Sequence, residues 1–261
     1  MIQVEAAQLN CWRRLLILPV FLRMISTVYF EDLGFRSYRQ VWDYQESLLQ
    51  QNTQLKVAGG ADATRHHLLL VEHPPVYTLG KSGKQENVIW TEEERKKKNI
   101  EFFHINRGGD ITFHGPGQIV GYPILDLEKM KPDLGWYLRS LEEVILMTLS
   151  DYGLTGDRSK GETGVWIDAG IPGKERKICA MGIKCSRWIT MHGFAFNVHT
   201  DLDYFNGIIP CGIQNKSVTS LQKELNAPIS MAEVKERLKK NFENVFSCQL
   251  VDEVKVNSVC S

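Results

Sequence analysis

The sequence lacks an excess of charge of either sign, because its 31 Lys and Arg residues balance its 31 Asp and Glu residues. A chain with no net charge has no electrostatic footprint for a nucleic acid or an anionic membrane, although the average can hide a basic patch for an acidic protein. Long apolar runs are also missing, since Leu15–Leu22 is broken by Pro19 and is too short to span a bilayer. We therefore expect neither a nucleic acid nor a membrane as partner.

Paired cysteine spacing is absent as well. The six cysteines, at positions 11, 179, 185, 211, 248 and 260, form neither a disulfide framework nor a CxxC zinc motif. We therefore expect free thiols in a reducing compartment and no metal site. What the composition does contain, 261 residues with 43% apolar side chains, fits one α/β domain of ordinary size.

The first 26 residues carry three arginines and a single acid, Glu5. An arginine-bearing, acid-poor start is typical of an organelle presequence. The alternatives are a disordered extension or a wrongly chosen start codon, with which the protein would be cytoplasmic. We expect a mitochondrial presequence or extension over 1–26, a catalytic domain over 27–246 and a C-terminal tail over 247–261.

Periodic apolar residues predict amphipathic helices near 38–50, 133–153 and 230–246, each preceded by a residue suited to cap it. The charged cluster 92–98 reads as a solvated helix without function. Short apolar runs bounded by Gly, Pro and charged residues predict buried strands. These strands are expected over 68–71, 76–79, 102–106, 111–114, 119–127, 178–183 and 189–198.

The stretch 177–213 combines a candidate nucleophile with a candidate partner for it. Its two apolar runs are separated by a short break that ends in Ser-Arg-Trp, which predicts neighbouring strands joined by a tight turn. Cys211 then stands between a proline, which fixes the backbone, and a glycine, which permits close approach. A thiol with a pKa of about 8.5 needs a nearby cation or base to become a nucleophile, and Lys177 is the candidate. The sequence leaves open which of the two holds the proton at rest.

Five ordered motifs run through the chain: RGGDITFHGPGQIVGYPILDL from Arg107, TGVWI from Thr163, KICAMGIK from Lys177, HGFAFNV from His192 and IIPCGI from Ile208. Together they resemble the lipoyl(octanoyl) transferase family over most of the chain. The resemblance implies a single α/β domain with a mixed β-sheet flanked by helices, similar to the catalytic fold of the biotin and lipoate protein ligases.

The resemblance also implies a catalytic dyad of Cys211 and Lys177. Octanoyl, or lipoyl, would move from the thioester of acyl carrier protein to Cys211, and then to a lysine of a lipoyl domain. The implied acceptors are proteins such as the glycine cleavage H protein and the 2-oxoacid dehydrogenase E2 subunits. No cofactor is expected. The residue chemistry alone supports only cysteine-dependent acyl transfer.

The glycine-rich segment from Arg107 to His114 is neither a Walker A loop nor GxGxxG, so by itself it fits a hairpin without a ligand. The resemblance implies instead that it lines the acyl site, although Asp110 departs from the pattern of bacterial members. His73 and His192 are possible site-lining residues, with a histidine bonded to backbone as the alternative. The implied acyl-site residues are Arg107, Gly108, Gly109, Asp110, Ile111, Thr112, Phe113, His114, Ala180, Met181, Gly182, Gly193, Phe194 and Ala195.

Three rival functions fit parts of the same sequence. An ATP-dependent lipoate or biotin ligase of the same fold does not need a cysteine, and Cys211 argues against it. A non-catalytic scaffold that binds acyl carriers does not need the dyad. A thioesterase would pass the acyl group to water, so dependence on a lysine acceptor distinguishes it from a transferase.

Overall fold

The computed structural model describes residues 26–59, 63–209 and 217–253. Cys211, most of the expected presequence and the last eight residues lie outside this part of the chain. Its α-helices are α1 (Tyr38–Val57), α2 (Glu92–Lys97), α3 (Leu134–Ser150), α4 (Leu221–Leu225) and α5 (Met231–Phe246). Its strands are β1 (Ser26–Phe35), β2 (His66–Glu72), β3 (Val76–Leu79), β4 (Glu101–His104), β5 (Ile111–His114), β6 (Gln118–Ile124), β7 (Val165–Ile167), β8 (Arg176–Ser186), β9 (Ile189–Asn197), β10 (Ser217–Val218) and β11 (Cys248–Asp252).

The strands form one large and one small sheet. The large sheet has the order β10-β8-β9-β6-β2-β1-β11, with β7 paired to β8. Its centre, from β2 through β6 and β9 to β8, is antiparallel, whereas β1 runs parallel to both β2 and β11. The small sheet has the order β4-β3-β5. The mixed sheet with flanking helices that the family resemblance implies is confirmed.

The helices begin where the sequence predicts. Ser37, Asp133 and Ser230 each accept the backbone N–H three residues further on, which satisfies a donor of the first turn. Helix α1 continues past its predicted end, because Lys56 in its last turn forms an ion pair with the buried Asp126, with Nζ and Oδ1 2.7 Å apart. No helix in the described part of the chain is long and apolar enough to cross a membrane.

Helices cover both faces of the large sheet. Helices α3 and α5 contact each other and share the largest apolar cluster with β9, which contributes the fully buried Phe196. On the other face, Val41 and Leu48 of α1 pack against side chains that include Ala195. Strand β9 is therefore buried on both sides, and all nine of its residues are buried.

The expected C-terminal tail contains a strand, so the domain extends beyond residue 246. Strand β11 pairs in parallel with β1 at the edge of the sheet, and the Glu253 N–H donates to the carbonyl oxygen of Phe30 at 3.0 Å. Glu253 Oε2 also lies 3.2 Å from Nδ1 of the buried His67. The sequence gives little sign of this strand, because only one of its five residues, Cys248, is buried.

Candidate active site

A cavity of about 380 Å³, called here the central cavity, is lined by residues of both sheets. This volume is within the range of pockets that bind small organic ligands. The predicted residues that line it are Arg107, Gly109, Asp110, Ile111, Thr112, His114, Lys177, Ala180, Met181, Gly182, His192, Gly193, Phe194 and Ala195. The structure thus brings most of the predicted acyl site and one member of the predicted dyad into one cavity.

Two predicted acyl-site residues lie outside the cavity wall. Phe113 points to the opposite side of β5 from Thr112, because successive strand residues alternate, and its ring stacks on Tyr204 with centroids 4.8 Å apart. Gly108 donates its N–H to the carbonyl oxygen of Ile183 at 2.8 Å, and it thereby ties the glycine-rich segment to β8. Both residues shape the cavity from behind.

Small residues form the wall that β8 and β9 contribute. Ala180 pairs with Ala195, and Gly182 pairs with Gly193. A Cβ on Gly182 would lie 2.8 Å from the carbonyl oxygen of Gly108, and one on Gly193 would lie 2.3 Å from a backbone oxygen of β6. The glycines are therefore required for close backbone approach, and the wall they leave suits a slender apolar chain.

Lys177 is held by strands on both sides. Its backbone pairs with Trp166 of β7 and with Val218 of β10, and its carbonyl oxygen accepts the Thr219 N–H at 3.0 Å. Its side chain reaches the cavity and its ammonium lies over the Trp166 ring, 4.5 Å from the centroid, a favourable cation–π contact. A fixed cation at the cavity wall can stabilise an anion that forms there.

The described ends of the segment that contains Cys211 are both anchored at this site. On one side, Ile209 donates its N–H to the carbonyl oxygen of Asn87 at 2.8 Å, and Asn87 donates its side-chain amide to Asp110 at 2.5 Å. On the other side, Ser217 and the next residue pair with the start of β8. Asp110, the predicted departure from the bacterial pattern, thus links the glycine-rich segment to the chain that leads to Cys211.

A chain of fixed hydrogen bonds runs along one wall of the cavity. Gln118 donates its side-chain amide to Asn197 at 2.9 Å, so its carbonyl oxygen faces His114 Nδ1 at 2.9 Å and that nitrogen carries the proton. Asn197 in turn donates to the backbone of Thr219 at 3.0 Å. Burial lowers the pKa of His114 to about 3, so the ring is a neutral hydrogen-bonding group at pH 7.

The other two histidines differ from each other. His73 lies behind the cavity, with Nδ1 2.8 Å from the carbonyl oxygen of Arg36 and Nε2 2.9 Å from the hydroxyl of Tyr122, so the backbone-bonded alternative is correct for it. His192 lines the cavity with φ of 61°, and its Nε2 lies 3.0 Å from the side-chain oxygen of Asn106. Burial lowers the pKa of His73 to about 4 and that of His192 to about 3.

The described cysteines have no role in the cavity. Burial raises the pKa of Cys179 far above its usual range, raises that of Cys185, and raises that of Cys248 to about 12. Neutral thiols are poor nucleophiles. Cys179 and Cys185 are therefore packing residues rather than nucleophiles.

Several residues that line the cavity were not predicted from the sequence. Two classes are present: residues inside the quoted motifs, which motif membership could have indicated, and residues that only the tertiary fold brings to the cavity. The first class contains Gln118, Val120, Tyr122, Thr163 and Asn197, and the second contains Tyr38, Gly161, Glu162, Phe205 and Val218.

The sequence matches a family model described as the lipoyl protein ligase A/B catalytic domain over residues 37–243, and the chain belongs to this family. Curated relatives include the octanoyltransferase of Christiangramia forsetii, which is 54% identical over 87% of this chain and 99% of its own length. The octanoyltransferase of Parabacteroides distasonis is 46% identical over 84% of this chain and 98% of its own. The predicted resemblance is confirmed.

Solved structures agree on the fold. A lipoate-protein ligase A bound with ATP has a TM-score of 0.62 at 16% identity and covers 90% of both chains. A bi-partite lipoate protein ligase from Thermoplasma acidophilum has a TM-score of 0.61 at 16% identity, over 89% of this chain and 88% of the other. Identity this low shows the fold alone.

Proposed function

We propose that this protein is an octanoyltransferase that moves octanoyl from the thioester of acyl carrier protein to a lysine of a lipoyl domain, through an acyl-enzyme on Cys211. The observation that carries the proposal is a single cavity lined by Lys177 and by a wall of glycines and alanines, with the residues on both sides of the segment 210–216 anchored to elements that line it. The octanoyltransferases at 46 to 54% identity support it independently.

In the first step, the Cys211 thiolate attacks the thioester carbonyl and the carrier thiol leaves as thiolate, which takes up a proton. The Lys177 ammonium favours the attacking thiolate by charge. The octanoyl chain lies along the small side chains of β8 and β9, where burial contributes roughly 0.8 kcal/mol per CH₂.

In the second step, the amine of the acceptor lysine attacks the acyl-cysteine. An amide bond forms, the C–S bond breaks, and the amine proton passes to the departing Cys211 thiolate or to Lys177, which accepts it as a neutral amine once its own proton has gone to the carrier thiolate. The buried histidines stay neutral throughout and orient the wall through hydrogen bonds. Acceptors of this kind are lipoyl domains such as those of the glycine cleavage H protein and the E2 subunits, and the location we propose is mitochondrial. A reporter fused to residues 1–26 that stays cytosolic would refute that location.

Intact-mass measurement tests the function. The full chain is mixed with octanoyl-acyl carrier protein without acceptor, and we expect one octanoyl adduct that disappears when a lipoyl domain is added. Cys211→Ser should abolish the adduct, and Cys185→Ser, the matched control, should keep it. An adduct that survives Cys211→Ser would move the nucleophile to another residue.

The similarity to an ATP-bound ligase makes adenylate chemistry the rival to test. In a parallel reaction, free octanoate with Mg²⁺ and ATP replaces the carrier thioester. We expect no transfer to the lipoyl domain from this mixture. Transfer at a rate comparable to that from the carrier would replace the proposed function with that of a ligase.

A further inference from the structure

Glu142 is a charged residue buried outside the central cavity, and the reaction described above does not use it. Its side chain is 0% exposed, on helix α3. One carboxylate oxygen accepts the Gly164 backbone N–H at 3.0 Å, and the other accepts Arg139 Nη1 at 2.6 Å and Arg158 Nε at 3.0 Å. A buried carboxylate is tolerated only with such a set of donors, and the loss of one donor leaves charge uncompensated.

The residues that Glu142 binds enclose part of the cavity wall. Asp157 and Trp166 exchange two backbone hydrogen bonds, of 2.8 and 2.9 Å, and close the chain between them into a loop. Within this loop, residues 161–163 line the cavity. Glu142 binds the loop on both sides of these three residues, so it fixes the wall they form.

The hydrogen bond between Gly164 and Glu142 also sets the distance between this wall and Lys177, the proposed catalytic lysine. Gly164 has φ of +117°, and a Cβ at this position would lie 2.5 Å from the carbonyl oxygen of Cys179. That Cβ would also lie 3.7 Å from Cε of Lys177. The loop therefore packs directly on β8 beside the lysine, with no space for a side chain between them.

We propose that Glu142 is a positioning residue, which holds the loop 158–164 against β8 so that the wall 161–163 closes the cavity beside Lys177. The inference rests on the proposed function in assigning the wall to acyl transfer. A wall held in this way fixes the donor thioester for attack and keeps water from the acyl-enzyme. Released from Glu142, the wall should bind the donor less well and admit water.

The test variant is Glu142→Gln, which keeps the shape of the side chain. An amide presents one oxygen and one NH₂, so a donor must face either Gly164 or the arginines. We expect the KM for octanoyl-acyl carrier protein to rise about tenfold, the range of a hydrogen bond to a charged group. We also expect a larger share of the acyl-enzyme to be lost to water instead of passing to the lipoyl domain. A loss of stability alone would leave both quantities unchanged in the folded fraction.

Glu143→Gln is the matched control. This neighbouring carboxylate accepts Arg158 Nη2 at 2.6 Å, its side chain is 46% exposed, and its position in the helix takes it away from Gly164. We expect its KM and its partition between transfer and hydrolysis to match those of the unmodified protein. Equal effects of the two variants would assign the change to Arg158 and overturn the proposal for Glu142.

Hydrogen exchange at the Gly164 amide gives a readout that does not depend on activity. We expect it to be about tenfold faster in Glu142→Gln, because the bond to the carboxylate limits local opening. If Glu142→Gln does not fold, Arg139→Gln takes its place, because Arg139 donates to Glu142 at 2.6 Å, and the same direction is expected for KM, partition and exchange. Unchanged values in the folded variant overturn the proposal. Failure of the unmodified protein to transfer octanoyl would refute the proposed function, and the exchange measurement would still decide whether Glu142 holds the loop.

Discussion

The two faces of strand β9 show how one short sequence serves both a core and a site. Phe196 is fully buried in the cluster shared with α3 and α5. Gly193 and Ala195, on the other face, line the central cavity. All three residues are buried and apolar, so Phe196 differs from Gly193 and Ala195 in side-chain size rather than in polarity. The large residues specify packing, and the small ones leave space beside the backbone for a ligand.

The largest effect is expected at Lys177, which lines the cavity from the neighbouring strand β8. Lys177→Ala should lower the rate of octanoyl transfer by a factor of about 10² to 10⁴, because it removes the cation and any base for the acceptor amine. Single-turnover mass spectrometry would follow the Cys211 adduct with and without lipoyl domain. Lys184→Ala, on the same strand but paired with Glu46 at 3.0 Å, is the control and should keep the rate. Unchanged rates in Lys177→Ala would remove that residue from the mechanism.

Lys177→Arg sharpens the result, because a guanidinium keeps the charge and does not deprotonate in proteins. If Lys177 acts only as a cation, both half-reactions should largely survive. If it also takes the amine proton, acylation should survive better than deacylation, and the adduct should accumulate in the presence of acceptor.

Much of the fold could be predicted from the sequence, since helix caps and the regular spacing of apolar residues are patterns that a few neighbouring residues define. The hairpin of β8 and β9 is an example, because two apolar runs and a short break define it locally. The edge strand β11 was not predicted, because its pairing with β1 joins residues as distant in the sequence as Ser26 and Cys248. The motifs contained most of the cavity, whereas Tyr38 and Glu142 act through contacts between distant segments that no local pattern reports.

On the core face, Phe196→Ala should cost about 3–5 kcal/mol in the free energy of unfolding, because it leaves a cavity between the sheet and helices α3 and α5. Chemical denaturation would measure the loss. The KM for the donor should change little in the folded fraction, since Phe196 does not line the central cavity. A selective rise in KM without a loss of stability would break the distinction between the two faces.

On the cavity face, we expect the protein to select acyl chains by length, because a longer chain buries more apolar surface against the wall. Four methylenes separate octanoyl from butyryl, so octanoyl should be favoured by about 3 kcal/mol, on the order of a hundredfold in kcat/KM. Ala180→Val, which adds two methyl groups to the wall, should reduce this preference. Comparable kcat/KM values for the two chains in the unmodified protein would show that the wall does not select by length.

The smallest effect concerns acid stability, to which the polar groups behind the cavity contribute. Burial lowers the pKa of His73 to about 4, below the value of about 6.5 for an exposed histidine. Between these values the unfolded chain binds a proton that the folded protein does not, so the free energy of unfolding falls as the pH falls from about 6.5 to 4. His73→Gln should make this slope shallower by up to about 1.4 kcal/mol per pH unit, while His104→Gln, which replaces an exposed histidine, is the control. Denaturant titrations at several pH values would measure the slopes, and an unchanged slope in His73→Gln would mean that this ring takes up its proton without unfolding.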